Sequence, residues 1–245
     1  MPDGYRAFFI PDGPITQPLG LARTRPDITL EREWGSQNYF RATALFFTFD
    51  GIDGAGKSTQ MDLFIEWLKE SGHDVIVCRD PGTTDMGEAI RKILLGASYR
   101  IDNRAEMLLY MACRAQLVQE VIRPALQEGK FVVSDRFLLA NVAYQGAVGE
   151  IPTDEIWRVG DVATGKLLPD LTFVLDLSPE EAAKRLGENR DRMESRGLDY
   201  FAKVRKTFLD ESARSPDQHC VVDASHAIDT IQVHIRDAAS TVLKR

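Results

Sequence analysis

The chain has 245 residues, 44% of them hydrophobic and 27% charged, with a formal net charge of −7. That length suits one large α/β domain, and the acidic balance excludes a nucleic-acid surface spread over the fold while leaving room for a local basic cleft. Three isolated cysteines, Cys78, Cys113 and Cys220, show no metal spacing and point to a reducing cytoplasm, no apolar run reaches a membrane span, and the first residues lack the basic-then-apolar order of a secretion signal.

Residues 1–40 differ in composition from the rest. Pro2, Pro11, Pro14, Pro18 and Pro26, interleaved with Gly4, Gly13 and Gly20, leave no space for a useful strand or helix. The expectation is an extended or partly disordered arm. Phe8, Phe9, Ile10 and Trp34 could pin it to the body or to a partner subunit; otherwise it is an upstream extension without catalytic work.

The body, 41–245, is organised around Phe49-Asp50-Gly51-Ile52-Asp53-Gly54-Ala55-Gly56-Lys57-Ser58-Thr59. An apolar run from Ala44 to Phe49 precedes it, and Met61, Phe64, Ile65 and Leu68 follow at helical spacing, so the glycines join a buried strand to a helix. Glycines there let backbone N–H groups point inward, beside the positive helix N-terminus, to hold the phosphates of a nucleoside triphosphate. Lys57 would reach the β- and γ-phosphates and the Ser58 hydroxyl would sit on Mg²⁺.

Asp74 to Cys78 reads as a second strand, ending at Arg79-Asp80-Pro81-Gly82. An arginine just after a parallel strand points toward bound phosphates, unless it is a surface residue beside an ordinary turn. Helices are expected over Met86–Leu95 and from about Asn103 to Gln127. The apolar band of the second (Met107, Leu108, Met111, Ala115, Leu117, Val118, Val121, Ile122) is too broad for one face, and its surplus could form a subunit interface. Tyr110 and Arg114 share a side of that helix, either facing one cleft or as a packed tyrosine with a solvated arginine.

Phe131 to Val133 continues into Ser134-Asp135-Arg136. Asp135 is suited to holding Mg²⁺ directly or through water and Arg136 to pairing with a phosphate, and an internal Asp-Arg ion pair is compatible with both. Asn141, Tyr144 and Gln145 are expected on a loop leaving the same edge, suited to a sugar and base or simply to turn formation. Ile156–Ala163 reads as a short helix, Leu171–Asp176 as a strand, and Pro179–Leu186 as a helix entered at Ser178. The stretch around Arg190 and Arg192 is charged and poor in apolar residues, either a mobile lid that delivers positive charge on closure or a solvated loop. Tyr200–Leu209 is helical, Cys220–Ala224 is a fifth strand, and a closing helix runs to Lys244. Five strands separated by helices predict an α/β doubly wound parallel sheet.

Taken together, the phosphate loop, Arg79-Asp80-Pro81-Gly82, Tyr110-Met111-Ala112-Cys113-Arg114, Asp135-Arg136-Phe137, Ala143-Tyr144-Gln145-Gly146 and Asp191-Arg192-Met193-Glu194 resemble the thymidylate kinases of the P-loop nucleoside monophosphate kinase superfamily. The resemblance implies a P-loop NTPase fold, transfer of the γ-phosphoryl of ATP to dTMP with Mg²⁺ held by Ser58 and Asp135, a homodimer, and no nucleic-acid polymer or membrane as partner. It implies ATP binding by Gly51, Ile52, Asp53, Gly54, Ala55, Gly56, Lys57, Ser58 and Thr59. For dTMP it implies Asp53 on the 3′-hydroxyl, Arg79, Arg114 and Arg136 around the acceptor phosphate or its loop, Tyr110 stacked on thymine with Arg114 at the base edge, and Asn141, Tyr144 and Gln145 near the sugar and base. Lys57, Arg136 and the lid arginines Arg190 and Arg192, within about 187–197, would be catalytic. Asp50 and Asp80 stand where the family commonly has glutamate, Thr83 where it has glycine, and Ala140 lacks a hydroxyl that many relatives carry. A kinase of another deoxynucleotide, a P-loop ATPase or GTPase switch, and a non-catalytic nucleotide-binding module are the competing readings.

Overall fold

The computed structural model describes residues 44–96, 100–186 and 197–244. The expected arm and the lid arginines Arg190 and Arg192 lie outside them.

Five strands form one sheet: β1 (Phe46–Asp50), β2 (Val75–Arg79), β3 (Phe131–Asp135), β4 (Leu171–Asp176) and β5 (His219–Asp223). Their order is β2-β3-β1-β4-β5, and every pairing is parallel. Side chains alternate across the sheet, which is how one strand serves two cores. Phe47 and Phe49 of β1 join Phe131, Val133 and Phe173 on one face, whereas Phe46 and Val132 join Met107, Met111 and Ile122 on the other. A fully buried phenylalanine contributes roughly 1.5–3 kcal/mol. With three of them buried, β1 is the natural centre of the sheet.

The helices are α1 (Lys57–Glu70), α2 (Asp85–Leu95), α3 (Asn103–Leu117), α4 (Arg123–Gln127), α5 (Leu138–Gly146), α6 (Thr153–Thr164), α7 (Pro179–Arg185), α8 (Leu198–Arg214) and α9 (Ile228–Leu243). The single helix expected over 103–127 is divided by a π turn, Val118–Ile122, just ahead of Pro124. Proline has no N–H to give the ladder, and a wider turn absorbs the loss. The broad apolar band of α3 is mostly consumed inside the molecule, because α2, α5 and α6 all pack against this helix. Among its members only Leu108 is largely exposed.

A second correction concerns Asn141, Tyr144 and Gln145. They lie on α5, not on a loop, and all three are buried. That helix is covered all round, so it carries no polar face to announce itself. Helix α6 begins at Thr153, three residues earlier than its apolar spacing indicates, with Asp154 and Glu155 favourably placed in its first turn.

Candidate active site

Strand register assembles the site. Phe49, Asp135 and Arg79 are neighbours across β1, β3 and β2. The ladder runs one residue further, since Arg136 N–H donates to the Phe49 carbonyl and Asp80 N–H to the Asp135 carbonyl, both at 2.9 Å. Asp50, Arg136 and Asp80 are thereby set along the carboxyl edge of the sheet, where open parallel sheets bind ligands. Arg136 adopts φ 67°, an uncommon backbone for a non-glycine residue. The Ser134 hydroxyl donates to its carbonyl at 2.7 Å and secures that conformation.

Between β1 and α1 the chain makes the phosphate loop. Gly51 has φ 130° and a Cβ there would lie 2.5 Å from the Leu175 carbonyl oxygen; at Gly54 the same clash arises with Ala182. Helix α1 then starts at Lys57 after the cap residue Gly56, with no side-chain cap and no acid in its first turn, which leaves its N–H groups and dipole to an anion. Ser58 and Thr59 are exposed beside it. Lys57 is folded back into the loop, its Nζ donating to the carbonyls of Gly51 (3.1 Å) and Ile52 (3.0 Å), with Asp53 at 3.8 Å. Burial, aided by the Arg136 charge, pushes this amine down to about 8.

Arg136 is the hub. One nitrogen donates to the Gly51 carbonyl at 2.9 Å, and the other reaches Asp53 Oδ1 at 2.5 Å and the Tyr144 hydroxyl at 3.1 Å. The Tyr144 hydroxyl in turn donates to Asp53 Oδ2 at 3.0 Å, and its ring lies under the guanidinium. Burial alone would raise the Asp53 carboxyl, but Arg136, Lys57 and the Tyr144 hydroxyl hold it at about 2. Asp50 has the opposite fate. Neither of its oxygens, nor Asp135 Oδ1, has a hydrogen-bond partner among the described residues, and burial pushes the Asp50 carboxyl up to about 7.

Arg114 is neither solvated nor aimed freely at a ligand: it is 1% exposed. Its Nε pairs with Asp80 at 2.7 Å, Nη1 donates to Asn141 Oδ1 at 2.9 Å and Nη2 to the Phe137 carbonyl at 3.1 Å. Asp80 therefore reaches its arginine despite being shorter than the family's usual glutamate. Arg79 pairs with Glu88 at 2.7 Å. Thr83, standing in for a glycine, keeps the left-handed φ of 70° that explains the family's preference. Its hydroxyl accepts from Arg79 N–H and donates to the Arg79 carbonyl, tying the turn together.

Two cavities adjoin here. A cleft of about 320 Å³ is lined by the phosphate loop, Arg79 and Asp135. The second is lined by Tyr110, Arg114, Ala140, Asn141, Tyr144 and Gln145. Asp53, Asp80, Arg91 and Arg136 belong to both walls. Arg91 was not signalled by any motif. Its position on α2 follows from the Thr84 cap, whose side chain accepts from Gly87 N–H, and its Nη1 donates to the Pro81 carbonyl at 2.8 Å.

A five-stranded parallel sheet with a phosphate loop after its central strand, and a second cavity across a shared arginine wall, defines a P-loop nucleotide-binding protein. Within that class, a family model described as thymidylate kinase matches residues 49–235. The chain belongs to the thymidylate kinase family. The thymidylate kinase of Rhodopirellula baltica is 45% identical over 184 residues, 75% of this chain and 75% of that protein. That of Bifidobacterium longum subsp. infantis is 42% identical over 206 residues, 82% and 88% of the two. The crystal structure of thymidylate kinase from Ehrlichia chaffeensis superposes with a TM-score of 0.65 at 28% identity, covering 80% of this chain and 98% of that one.

Proposed function

We propose that the chain transfers the γ-phosphoryl group of ATP to the 5′-monophosphate of dTMP, forming ADP and dTDP. The observation that carries this is the wall of Asp53, Asp80, Arg91 and Arg136 shared by two cavities. A donor in the phosphate loop and an acceptor in the second cavity meet there at two arginines, as in-line phosphoryl transfer requires.

In this scheme Gly51 to Thr59 hold the ATP phosphates, with Lys57 swinging from the carbonyls that now hold it onto the β- and γ-oxygens. Asp53, Arg79, Tyr110, Arg114, Arg136, Asn141, Tyr144 and Gln145 hold dTMP, joined by Arg91 at the acceptor phosphate. Arg190 and Arg192, outside the described residues, complete the charge from a lid spanning about 187–197 of a catalytic body at 41–245, while 1–40 is an added extension. Ser58 and Asp135 would hold Mg²⁺, with Asp50 behind them; their orphaned or exposed oxygens suit a hard cation. That ion supplies charge neutralisation at the β- and γ-phosphates. Among the described residues no group of three or more His, Cys, Asp or Glu forms a cage, which fits an ion completed by phosphates and water. The protein acts in the cytoplasm as a homodimer, a reading supported by exposed Met86, Ile93, Leu108 and Val162 on the mutually packed helices α2, α3 and α6. No helix among the described residues is long and apolar enough to cross a membrane.

The test is ADP formation from Mg-ATP with a panel of monophosphates: dTMP, dUMP, dCMP, dGMP and dAMP. Fastest turnover with dTMP is expected; equal ADP formation without any acceptor would sink the proposal.

Tyr144 supplies a sharper expectation. Its ring is 6% exposed in the cavity wall and its hydroxyl is bound to Asp53. An acceptor whose 3′-hydroxyl meets Asp53 would bring C2′ against this ring, and a 2′-hydroxyl left unpaired there costs about 1–3 kcal/mol, roughly tenfold to hundredfold in preference. In Tyr144→Ala the ratio of kcat/KM for dTMP over ribothymidine monophosphate falls toward unity, while Tyr144→Phe, which keeps the ring, retains most of it. Parallel steady-state assays decide the matter, since a ratio unmoved in Tyr144→Ala places discrimination elsewhere.

A further inference from the structure

Glu88, in the first turn of α2, lines neither cavity, yet one of its oxygens receives two donors from the turn that follows β2. Arg79 Nη2 donates to Oε1 at 2.7 Å and Thr83 N–H donates to the same atom at 3.0 Å. Helical side chains lean toward the start of their own helix, so a glutamate one turn past the Thr84 cap reaches back over residues 80–83. The Thr83 bond and the positive end of α2 anchor this carboxylate without help from the arginine. The arginine has no such second anchor. Its side chain is 50% exposed, and Glu88 is the one hydrogen-bonded or ionic partner of its guanidinium among the described residues.

The Thr83 hydroxyl already ties the Arg79 backbone, through both its N–H and its carbonyl, but that leaves the long side chain free to turn. Its path to Glu88 crosses Gly82, where a Cβ would lie 2.6 Å from Glu88 Oε1 and 2.8 Å from Arg79 Nε. The bare glycine lets the pair close, and the guanidinium stays in the wall of the phosphate cleft beside Lys57, Arg91 and Arg136. Three like charges there favour an arginine that swings out to water, and the Glu88 carboxylate opposes them. The bond occupies one of five guanidinium N–H groups, so the others remain for a phosphate. A side chain ordered in advance has less rotamer freedom to lose when that phosphate binds.

We propose that Glu88 is a positioning residue for capture of the acceptor phosphate: it holds the Arg79 guanidinium in the wall of the cleft and acts on the reaction through that arginine alone. The inference rests on the nucleotide-kinase reading above. A carboxylate outside the cavities thereby sets the affinity for the acceptor while touching neither nucleotide.

A double-mutant cycle on the full chain tests it. Arg79→Ala removes the guanidinium itself, and KM for dTMP rises about tenfold or more. Glu88→Ala leaves the guanidinium present but loose, and KM for dTMP rises about threefold to fivefold, with kcat and KM for ATP nearly unchanged. In the Arg79→Ala background, Glu88→Ala adds nothing further to KM, because there is no longer a guanidinium to hold. A merely structural role for Glu88, at the start of α2 or on Thr83, would add its full effect there. Glu88→Gln serves should the alanine variant fail to fold: a neutral amide oxygen keeps both bonds but holds the charge less firmly, so its smaller rise in KM must likewise vanish without Arg79. The inference is overturned by an unchanged or lowered KM for dTMP in a folded Glu88→Ala protein, by an unchanged KM in Arg79→Ala, or by a Glu88 effect that persists in the Arg79→Ala background. Absence of dTMP-dependent ADP formation by the unaltered protein defeats the functional reading instead, so the two failures are distinguishable.

Discussion

Lys57→Ala lowers dTMP-dependent ADP formation by roughly a hundredfold to a thousandfold in kcat, the usual result of removing one preorganised group that stabilises developing charge. The reason is local. Lys57 leaves the loop at the first residue of α1, and in the structure its ammonium neutralises the inward carbonyls of Gly51 and Ile52. When those partners give way to nucleotide oxygens, the same side chain delivers a positive charge beside the bare N-terminus of α1. Alanine leaves the two carbonyls without their ammonium partner but removes no core packing, so the protein stays folded. A coupled assay combined with thermal unfolding separates the effects, and near-normal kcat in a folded variant would remove Lys57 from the mechanism.

Arg136→Ala has a comparable effect on kcat/KM, about a hundredfold or more, because one guanidinium joins the loop carbonyl of Gly51, the carboxylate of Asp53 and the hydroxyl of Tyr144 at the boundary of both cavities. Arg136→Lys restores little, since a single ammonium cannot reproduce the planar fork across three acceptors. The substitution also leaves a pH signature. Asp53 is held at about 2, below its ordinary 3.8. A depressed carboxyl contributes stability that is complete above its unfolded value and is lost as pH falls through the folded one. The stability gap between the unaltered protein and Arg136→Ala is therefore full at neutral pH and narrows between about pH 4 and pH 2. Denaturant unfolding across that range measures it, and a gap independent of pH would mean that Asp53 gains nothing from Arg136.

Much of the site was legible because its signals are local. The phosphate loop announces itself by glycines between an apolar run and a helical repeat, and the five strands are short apolar segments closing on polar residues. The places that were misread share a physical cause. Helix α5 looked like a loop because Leu138, Leu139, Val142 and Ala143 are buried along with its amides, so its apolar and polar residues follow no facial period. Arg91 gave no warning since its importance comes from where α2 lies, not from its neighbours in sequence. The spacing of Tyr110 and Arg114 left open whether they face one cleft or form a packed tyrosine with a solvated arginine; both line one cavity, and nothing near Arg114 in the chain indicated that Asp80, thirty-four positions earlier, would pair with it.

By itself, then, the sequence determined the fold class, the phosphate loop and the identity of the residues at each strand end, because backbone conformation, side-chain period and helix capping act over a few residues. Tertiary structure decided which of those groups retain hydrogen-bonding capacity for a ligand and which are spent on one another. Register between β1, β2 and β3 sets Asp50, Asp80 and Arg136 along one edge. Packing of α3 against α5 closes a line of hydrogen bonds from Arg114 through Asn141 and Gln145 to Glu106. A buried donor or acceptor must find a partner wherever the fold brings one within about 3 Å, and that distance is a property of three-dimensional placement, which no pattern of neighbouring residues encodes.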